Sequence, residues 1–326
     1  MIKNLVTGIG GFVASHLADL LFEKGEEIYG TYRWTEDLRK IDHLKDKSNF
    51  HFVSLDLNDA WNCLRQTVAI KPDYIFHLAA QSYVTDSFLY PVETIRANML
   101  GTLNLLEAVR FSKEKENYDP MIHVCSTSEV YGLVKEEDLP ITEKQSLNPS
   151  NPYAVGKVGA DMAALSYWTN FGVKTIRTRA FTHTGPRRTM MSAECNFAHQ
   201  IALIEQQKQE PIIHHGNLDS VRTWTDVRDM AKAYYLLVKK CKPGEVYNIS
   251  GNVTKTIGEM LDYLISLSPM RNKITKKLDT SLLRPYDVTL QIADCSKFKK
   301  ETGWEPEIPF EKTMQDLLNW WREINV

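Results

Sequence analysis

The residues with the clearest chemical potential lie near the middle of the chain, in two short segments. Segment 124–132 reads Val-Cys-Ser-Thr-Ser-Glu-Val-Tyr-Gly and is typical of a strand that ends at a glycine. A helix is predicted to begin after Asn151 and Pro152, which places Tyr153 and Lys157 one turn apart on one face, opposite Thr127. The positive charge of a lysine favours a tyrosine phenolate and lowers the pKa of Tyr153, while the threonine holds the oxygen being deprotonated. This pattern indicates hydride transfer at a carbinol carbon, in which Tyr153 takes the hydroxyl proton and Lys157 also holds a nicotinamide ribose.

A carboxylate two positions after the threonine adds a second function. A simple alcohol dehydrogenase needs no carboxylate there, whereas elimination next to a ketone needs a base. Oxidation at carbon 4 of a hexose makes the hydrogen on carbon 5 acidic. Glu129 is predicted to remove that hydrogen and to help protonate the departing carbon 6 hydroxyl, after which the stored hydride returns to carbon 6. The alternative interpretation is that Glu129 is a structural hydrogen-bond acceptor in a loop.

The N-terminal segment predicts a dinucleotide site. An apolar strand over residues 2–7 runs into Gly-Ile-Gly-Gly-Phe-Val-Ala at residues 8–14, followed by a helical pattern. Glycines and a small residue in this pattern fit a tight turn, close approach of the backbone to a pyrophosphate, and phosphate charge at a helix N-terminus. An ordinary tight turn between a strand and a helix is the alternative. The predicted cofactor-binding positions here are Gly8, Gly10, Gly11, Phe12 and Val13.

The ends of the next three predicted strands complete the cofactor site. The second strand ends at Thr31, Tyr32 and Arg33, without the acidic residue that usually binds the ribose hydroxyls of NAD. Arg33 can pair with a 2′-phosphate, which favours NADP and leaves NAD possible; alternatively, Arg33 is a solvated surface residue. The remaining predicted cofactor-binding positions are Asp56, Leu57, Leu78, Ala79 and Ala80.

The order of the elements predicts the fold class. Strands near residues 5, 29, 53 and 76 alternate with helical stretches, which predicts an α/β fold with a doubly wound parallel (Rossmann) sheet. The alternation fades after residue 175, where a smaller, non-contiguous C-terminal lobe is expected to close over the carboxyl edge of the sheet. The predicted domains are a dinucleotide-binding Rossmann domain over residues 1–175, to which parts of 210–250 return, and a mainly substrate-binding lobe over 176–326.

Composition narrows the class of protein. The chain has 326 residues, 43% of them hydrophobic, and a formal net charge of −2, so we expect a soluble globule without nucleic-acid or membrane partners. Five cysteines without a C-x-x-C pair, and histidines without metal-ligand spacing, predict reduced thiols and no metal site. No long apolar run or signal-peptide core is present, which predicts a cytoplasmic protein. Predicted helices over residues 93–110 and 153–170 pack on the sheet alone or also pair two subunits.

Four arginines lie in segments of the predicted substrate lobe that contain glycine or proline. Arginine forks match the oxygens of a pyrophosphate, so together they indicate an anionic ligand, although each singly is equally typical of a surface. The four are Arg187, Arg188, Arg222 and Arg284.

Several segments resemble known enzymes. Thr-Gly-Ile-Gly-Gly-Phe at 7–12, His-Leu-Ala-Ala at 77–80 and Tyr153-x-x-x-Lys157 resemble the extended short-chain dehydrogenase/reductase family. The blocks at 80–84, 126–134, 150–155 and 216–222 are similar to those of GDP-mannose 4,6-dehydratases.

This resemblance implies a catalytic set of Thr127, Glu129, Tyr153 and Lys157. It also implies retained NADP, a homodimer or homotetramer, Arg222 and Arg284 on the substrate diphosphate, and Asp287 near the nucleotide. The predicted substrate-binding residues are Ser82, Ser128, Thr182, His183, Arg187, Arg222, Arg284 and Asp287.

Two segments depart from the dehydratase pattern. Thr182 stands where those enzymes usually have asparagine, and the loop 190–196 differs from theirs. The expected substrate is therefore a GDP-linked hexose that is mannose-like or N-acetylglucosamine, or else a GDP-linked heptose. An NADPH-dependent GDP-4-keto-6-deoxysugar reductase, whose relatives share the glutamate at position 129, and a 4-epimerase are the alternatives. A non-catalytic NADP-sensing regulator is a third class, but it has no need of a proton-transfer tyrosine.

Overall fold

The computed structural model describes residues 1–116, 118–283 and 287–324. Its strands are β1 (Lys3–Thr7), β2 (Glu27–Tyr32), β3 (Phe50–Ser54), β4 (Tyr74–His77), β5 (Met121–Thr127), β6 (Thr175–Ala180), β7 (His183–Thr184), β8 (Ile212–His215), β9 (Val221–Asp226), β10 (Val246–Ile249), β11 (Val253–Thr256), β12 (Thr275–Leu278) and β13 (Leu290–Gln291). Its α-helices are α1 (Phe12–Glu23), α2 (Ala60–Ile70), α3 (Val84–Leu89), α4 (Pro91–Ile95), α5 (Gly101–Glu116), α6 (Pro152–Phe171), α7 (Ala193–Glu205), α8 (Val227–Lys240), α9 (Ile257–Ser266), α10 (Ser296–Thr302) and α11 (Phe310–Glu323).

Seven strands form one parallel sheet in the order β10-β6-β5-β4-β1-β2-β3. Successive residues of a strand face opposite sides, so Leu5 and Ile75 pack into one core while Val6 and Phe76 pack into the other. Helices α1 and α8 cover one face, and α2, α5 and α6 cover the other. The predicted doubly wound α/β fold is confirmed. The strand order reverses between β1 and β4, which opens a crevice at their carboxyl ends.

The rest of the chain builds two small sheets and a third core. Strand β9 pairs with β7, β11 and β13, and β8 pairs with β12. Helices α7, α9 and α11 pack together through side chains such as Ile201, Leu264 and Leu317. The chain returns to the large sheet at β10, which pairs with β6. The predicted division into two domains, with parts of 210–250 returning to the first, stays a prediction.

Both long helices predicted from the sequence are present in the structure. Helix α6 matches the helix predicted at 153–170, and the helix predicted at 93–110 is present as α4 and α5, joined by a π-helical turn at Arg96–Leu100. Helix α7 begins at Ala193, just after Ser192. No helix among the described residues is long and apolar enough to cross a membrane.

Candidate active site

The end of β5 and the start of α6 bring the predicted catalytic residues together. The Asn151 side chain caps α6 by accepting the backbone N–H of Ala154 at 2.8 Å, and Pro152 occupies the first turn. Tyr153 and Lys157 follow one turn apart, and Lys157 is only 6% exposed. The Tyr153 hydroxyl is hydrogen-bonded to Thr127, the last residue of β5. The predicted juxtaposition of Thr127, Tyr153 and Lys157 is therefore present.

The electrostatics of Tyr153 differ from the sequence expectation. Burial raises the pKa of Tyr153 above its ordinary value, and the neighbouring Cys125 and the Glu129 carboxylate act in the same direction. The hydrogen bond from Thr127 and the charge of Arg188 lower that pKa, but the net shift is upward. Lys157 donates its Nζ to the backbone oxygen of Cys125 at 2.8 Å, and burial lowers the pKa of Lys157. The lysine charge is therefore directed at strand β5. The pKa of Tyr153 is raised by its surroundings as a whole, whereas the sequence predicted that it would be lowered.

Glu129 is held from two sides. Its Oε2 accepts a hydrogen bond from Asn151 Nδ2 at 3.1 Å, and its Oε1 accepts one from Gln291 Nε2 at 3.0 Å. The Glu129 backbone N–H donates to Thr127 Oγ1 at 3.3 Å, which fixes the turn that carries the carboxylate. Both carboxylate oxygens thus bind neutral amide donors, in the same neighbourhood as the tyrosine hydroxyl.

The glycine turn is shaped by close backbone contacts. A Cβ atom on Gly8, whose φ is +68°, would lie 3.0 Å from the Cα of Ala79, so only glycine fits there. Thr7 Oγ1 accepts the backbone N–H groups of Leu78 and Ala79, each at 3.0 Å, and donates to Nδ1 of His77 at 3.0 Å. Burial lowers the pKa of His77 to about 3, so the ring is neutral. The Thr102 hydroxyl donates to the Asn98 oxygen and so accepts the Nε2–H of His77 at 2.9 Å, which leaves Nδ1 as an acceptor. These bonds fix the crevice between β1 and β4.

The remaining predicted positions of the glycine turn flank this crevice. Gly11 lies at the N-cap of α1, and Phe12 and Val13 form its first turn, where free backbone N–H groups suit a phosphate. Ala80, three residues after the end of β4, is partly exposed at the same edge.

A loop after β2 covers the glycine turn with both signs of charge. Arg33 is exposed, and its backbone N–H donates to Glu36 Oε2 at 3.2 Å. A Cβ on Gly10 would lie 2.9 Å from the Glu36 carboxylate, and Lys40 Nζ donates to the Gly10 oxygen at 3.3 Å. Sequence reasoning considered only the arginine and missed this acidic neighbour.

The two predicted positions after β3 lie near each other. The carboxylate of Asp56 is exposed and accepts the backbone N–H of Asn58 at 2.9 Å, and the backbone oxygen of Leu57 accepts Asn104 Nδ2 at 2.8 Å. Asp56 therefore keeps an exposed carboxylate at the carboxyl edge of the sheet.

An aromatic and cationic group lies between the start of α1 and β7. The rings of Phe12 and His183 are parallel with centroids 6.1 Å apart, and the Arg188 guanidinium lies 5.1 Å from the Phe12 centroid. Arg188 also binds Glu194 at 2.8 Å and the His183 backbone oxygen at 2.9 Å. Burial lowers the pKa of His183 to about 4, so its ring is neutral near pH 7. Thr182 contributes its backbone oxygen to the Thr225 N–H at 3.0 Å.

The other predicted substrate-binding residues are separated into different surroundings. Arg222 is 8% exposed on β9, and its Nη2 lies 3.9 Å from Asp287 Oδ1. Asp287 also accepts hydrogen bonds from Asn217 at 2.8 Å and Ser220 at 2.9 Å. Arg187 forms an ion pair with Asp19 of α1 at 2.6 Å.

Three predicted residues remain to be placed. Ser128 is buried in the turn after β5, and Ser82 is exposed after β4. Arg284 lies outside the described residues. The described arginines are therefore not gathered at one point: one is tied to α1, one lies against Phe12, and one lies beside Asp287.

A model of one protein family covers almost the whole of this arrangement. The family described as GDP-mannose 4,6 dehydratase matches residues 5–317. The chain belongs to this family. The match includes β5, α6 and the strands that carry Arg222 and Gln291.

Two relatives of this dehydratase-family chain are named for different activities. The GDP-mannose 4,6-dehydratase of Vibrio cholerae serotype O1 is 30% identical, over 96% of this chain and 92% of its own. The GDP-6-deoxy-D-mannose reductase of Pseudomonas aeruginosa is also 30% identical, over 98% of this chain and 97% of its own. The solved structure of RMD from Pseudomonas aeruginosa, complexed with NADPH, is 27% identical with a TM-score of 0.81 and covers 99% of both chains.

Sequence reasoning missed three groups around the predicted catalytic residues of this dehydratase-family chain. Gln291 reaches Glu129 from β13, and Cys125 Sγ lies 3.3 Å from the hydroxyl of Tyr234, a buried residue of α8. Asn151 was expected only to precede a helix, but its amide also binds Glu129. A capping residue at 151 was a readable signal, whereas no local pattern points to Gln291 or Tyr234.

Proposed function

We propose that this chain is a GDP-linked hexose 4,6-dehydratase that uses NADP and forms a 4-keto-6-deoxy sugar. The observation that carries the proposal is the Glu129 carboxylate, fixed by two amide donors beside the Thr127–Tyr153 pair. A carboxylate held next to a carbonyl-forming centre suits elimination, which a plain alcohol oxidation does not require. Family membership supports the same reaction class.

The chain's residues fit a dinucleotide in the crevice. Side chains at Gly8 or Gly10 would collide with Ala79 or with the loop that carries Glu36, so the backbone stays open to a close ligand. We propose that the α1 N-terminus holds the pyrophosphate, Lys157 the nicotinamide ribose, and Arg33 the 2′-phosphate. When bound, the dinucleotide supplies the acceptor and later the donor of a hydride.

The proposed reaction uses four residues, two of which transfer protons. Thr127 holds the carbon 4 oxygen while Tyr153 accepts its proton, which produces a ketone. Glu129 then removes the carbon 5 proton and delivers it to the departing carbon 6 hydroxyl, which leaves as water. Because the hydride taken from carbon 4 is returned to carbon 6 and carbon 5 regains a proton, in balance with the one that Tyr153 took, no net redox change results. Arg222, next to Asp287, is proposed to bind the substrate diphosphate.

A reductase is the second candidate because the Pseudomonas aeruginosa relative is a GDP-6-deoxy-D-mannose reductase by name. The deciding experiment incubates the protein with GDP-mannose and with GDP-N-acetylglucosamine, without added NADPH, and measures loss of water by mass spectrometry. Dehydration without net cofactor consumption supports the dehydratase and identifies its sugar. Stoichiometric NADPH consumption with a GDP-4-keto-6-deoxy sugar, and no dehydration, supports the reductase.

Replacing the proposed base separates the two chemical steps. We expect Glu129→Gln to slow elimination about 10²- to 10⁴-fold, the usual contribution of a general base, while carbon 4 oxidation stays detectable as reduced cofactor. Glu137→Gln, at an exposed carboxylate paired with Lys135, is the matched control and keeps both steps. Equal loss of both steps in folded Glu129→Gln protein contradicts the base role.

We also propose a cytoplasmic homodimer or homotetramer. All five cysteines are free thiols, which suits a reducing compartment. Apolar side chains remain exposed on adjoining helices, at Val92, Met99, Leu100 and Val155, and we name these four residues the helix-pair face. Such a contiguous apolar face suits a second copy of the chain.

A further inference from the structure

Gln291, in the C-terminal part of the chain, has a buried side-chain amide that contacts Glu129 in the turn after β5. It lies on β13, is 3% exposed, and donates its Nε2 to Glu129 Oε1 at 3.0 Å. The two residues are 162 positions apart in sequence, and pairing of β13 with β9 helps to bring them together. The contact therefore joins the turn after β5 to the small sheet.

The chemistry of this contact suits orientation of a base. A glutamate side chain has three rotatable bonds, and a reacting carboxylate loses rate when it samples unproductive rotamers. Asn151 fixes one oxygen and Gln291 fixes the other, and an amide N–H carries no full charge and does not release its proton. The two amides thus hold the carboxylate in one orientation, and no lysine or arginine of residues 1–116, 118–283 and 287–324 forms an ion pair with it.

The strand that carries Gln291 also touches the proposed diphosphate site. Gln291 pairs in register with Arg222 on β9, and β13 follows closely after Asp287, which lies 3.9 Å from Arg222. Arg222 Nη1 in addition donates to the backbone oxygen of Thr289, at 3.3 Å. The orientation of the base and the position of Arg222 therefore depend on the same pair of strands.

We propose that Gln291 is a positioning residue that holds Glu129 in the orientation needed to remove the carbon 5 proton, and that it connects this orientation to the strand pair bearing Arg222. The proposal rests on the proposed dehydratase function. Gln291 does not touch the reacting atoms and acts through Glu129.

The test replaces the amide by an apolar side chain of similar length. We expect Gln291→Met to slow elimination about 10- to 100-fold, the loss associated with removing a hydrogen bond to a charged group. Carbon 4 oxidation, followed in a single turnover by the fluorescence of reduced cofactor, stays close to wild type, and the oxidised sugar accumulates. Gln315→Met is the matched control, because the Gln315 amide donates to Asn319 on the same helix, α11. Gln291→Asn, which is too short to reach Glu129, slows elimination similarly and serves if the methionine variant does not fold.

A double-mutant cycle separates positioning from a general structural role. If Gln291 acts through Glu129, adding Gln291→Met to Glu129→Gln causes little further loss of elimination. Additive losses, equal slowing of both chemical steps, or unchanged elimination in folded Gln291→Met overturn the role of Gln291. A wild-type protein that dehydrates neither GDP-sugar overturns the proposed function instead, so the two failures are distinguishable.

Discussion

At the scale of single residues, the Tyr153 hydroxyl lies among groups that act on its pKa in opposite directions. Burial, Cys125 and Glu129 raise the pKa of Tyr153, while the hydrogen bond from Thr127 and the charge of Arg188 lower it. The upward shift disfavours the phenolate, which is the form that accepts a proton. Thr127 is therefore important for the rate near neutral pH.

Removing the Thr127 hydroxyl tests this balance. Thr127→Val deletes a hydrogen bond that lowers the pKa of Tyr153, so that pKa rises further and less phenolate is present at any given pH. We expect carbon 4 oxidation to fall about tenfold near neutral pH, and its rising limb to move to higher pH. The measurement is the rate of cofactor reduction in single turnovers across a pH series.

The control for this substitution lies on the same helix as the tyrosine. Thr169→Val removes an exposed hydroxyl that bonds the Leu165 backbone oxygen, and its pH profile should match wild type. A loss in Thr127→Val that is identical at every pH would contradict an effect on the Tyr153 pKa.

Spacing in the sequence predicted part of this site and missed the rest for physical reasons. Tyr153 and Lys157 share a face because a helix repeats every 3.6 residues, so their closeness was readable. The direction of Lys157 was not, because it depends on where the Cys125 carbonyl points at the end of β5. Gln291 was unreadable because its partner is fixed by strand pairing in another sheet.

At the scale of elements, α6 is tied to the large sheet by buried charge. Asp161 on α6 is fully buried and binds Arg177 at 2.8 Å and Arg179 at 2.9 Å, both on β6. Arg179 also donates to the hydroxyl of Tyr131, at 3.2 Å, and Tyr131 lies in the same turn as Glu129. The helix that carries Tyr153 and Lys157 is thereby fixed in register with the strand beside β5.

Breaking this buried pair should destabilise the protein strongly. Asp161→Asn leaves two arginine charges without their carboxylate, and we expect the free energy of unfolding to fall by about 3–5 kcal/mol. Urea denaturation measures the change. Asp262→Asn removes the exposed partner of Lys276 and should change it by less than about 1 kcal/mol. Similar changes in the two variants would show that Asp161 is not a strong tie.

Regular elements were predictable where their patterns are long, and short ones were not. The strands near residues 5, 29, 53 and 76 and the helix at 153–170 are confirmed because each buries an apolar face on the same sheet. Strands β7 and β13 have two residues each and exist only through pairing with β9, so no local period reveals them. The contact between Gln291 and Glu129 depends on one of these short strands, β13.

At the scale of the whole molecule, the helix-pair face joins two elements that pack unusually closely. A Cβ atom on Gly159 of α6 would lie 2.6 Å from the Met99 Sδ, and one on Gly156 would lie 3.1 Å from the Asn98 Cβ. Small residues therefore let α6 approach the turn between α4 and α5. This approach brings Val155 and Met99 into one apolar surface. On this face Val92 is 73% and Val155 43% exposed. An apolar surface of this kind is removed from water when a second copy of the chain covers it.

Charge placed on this face should separate the subunits without unfolding them. Val92 and Leu100 are exposed in the single chain, so the double variant Val92→Glu/Leu100→Glu leaves the core intact. In a dimer it loses about 1.5–3 kcal/mol for each buried apolar side chain and also buries like charges. We expect wild-type protein to sediment as a dimer or tetramer and the variant to sediment as a smaller species with an unchanged circular dichroism spectrum. Leu278→Glu, on the exposed strand β12, is the control and keeps the wild-type assembly. A monomeric wild type, or a variant that assembles as wild type does, would show that this face does not pair subunits.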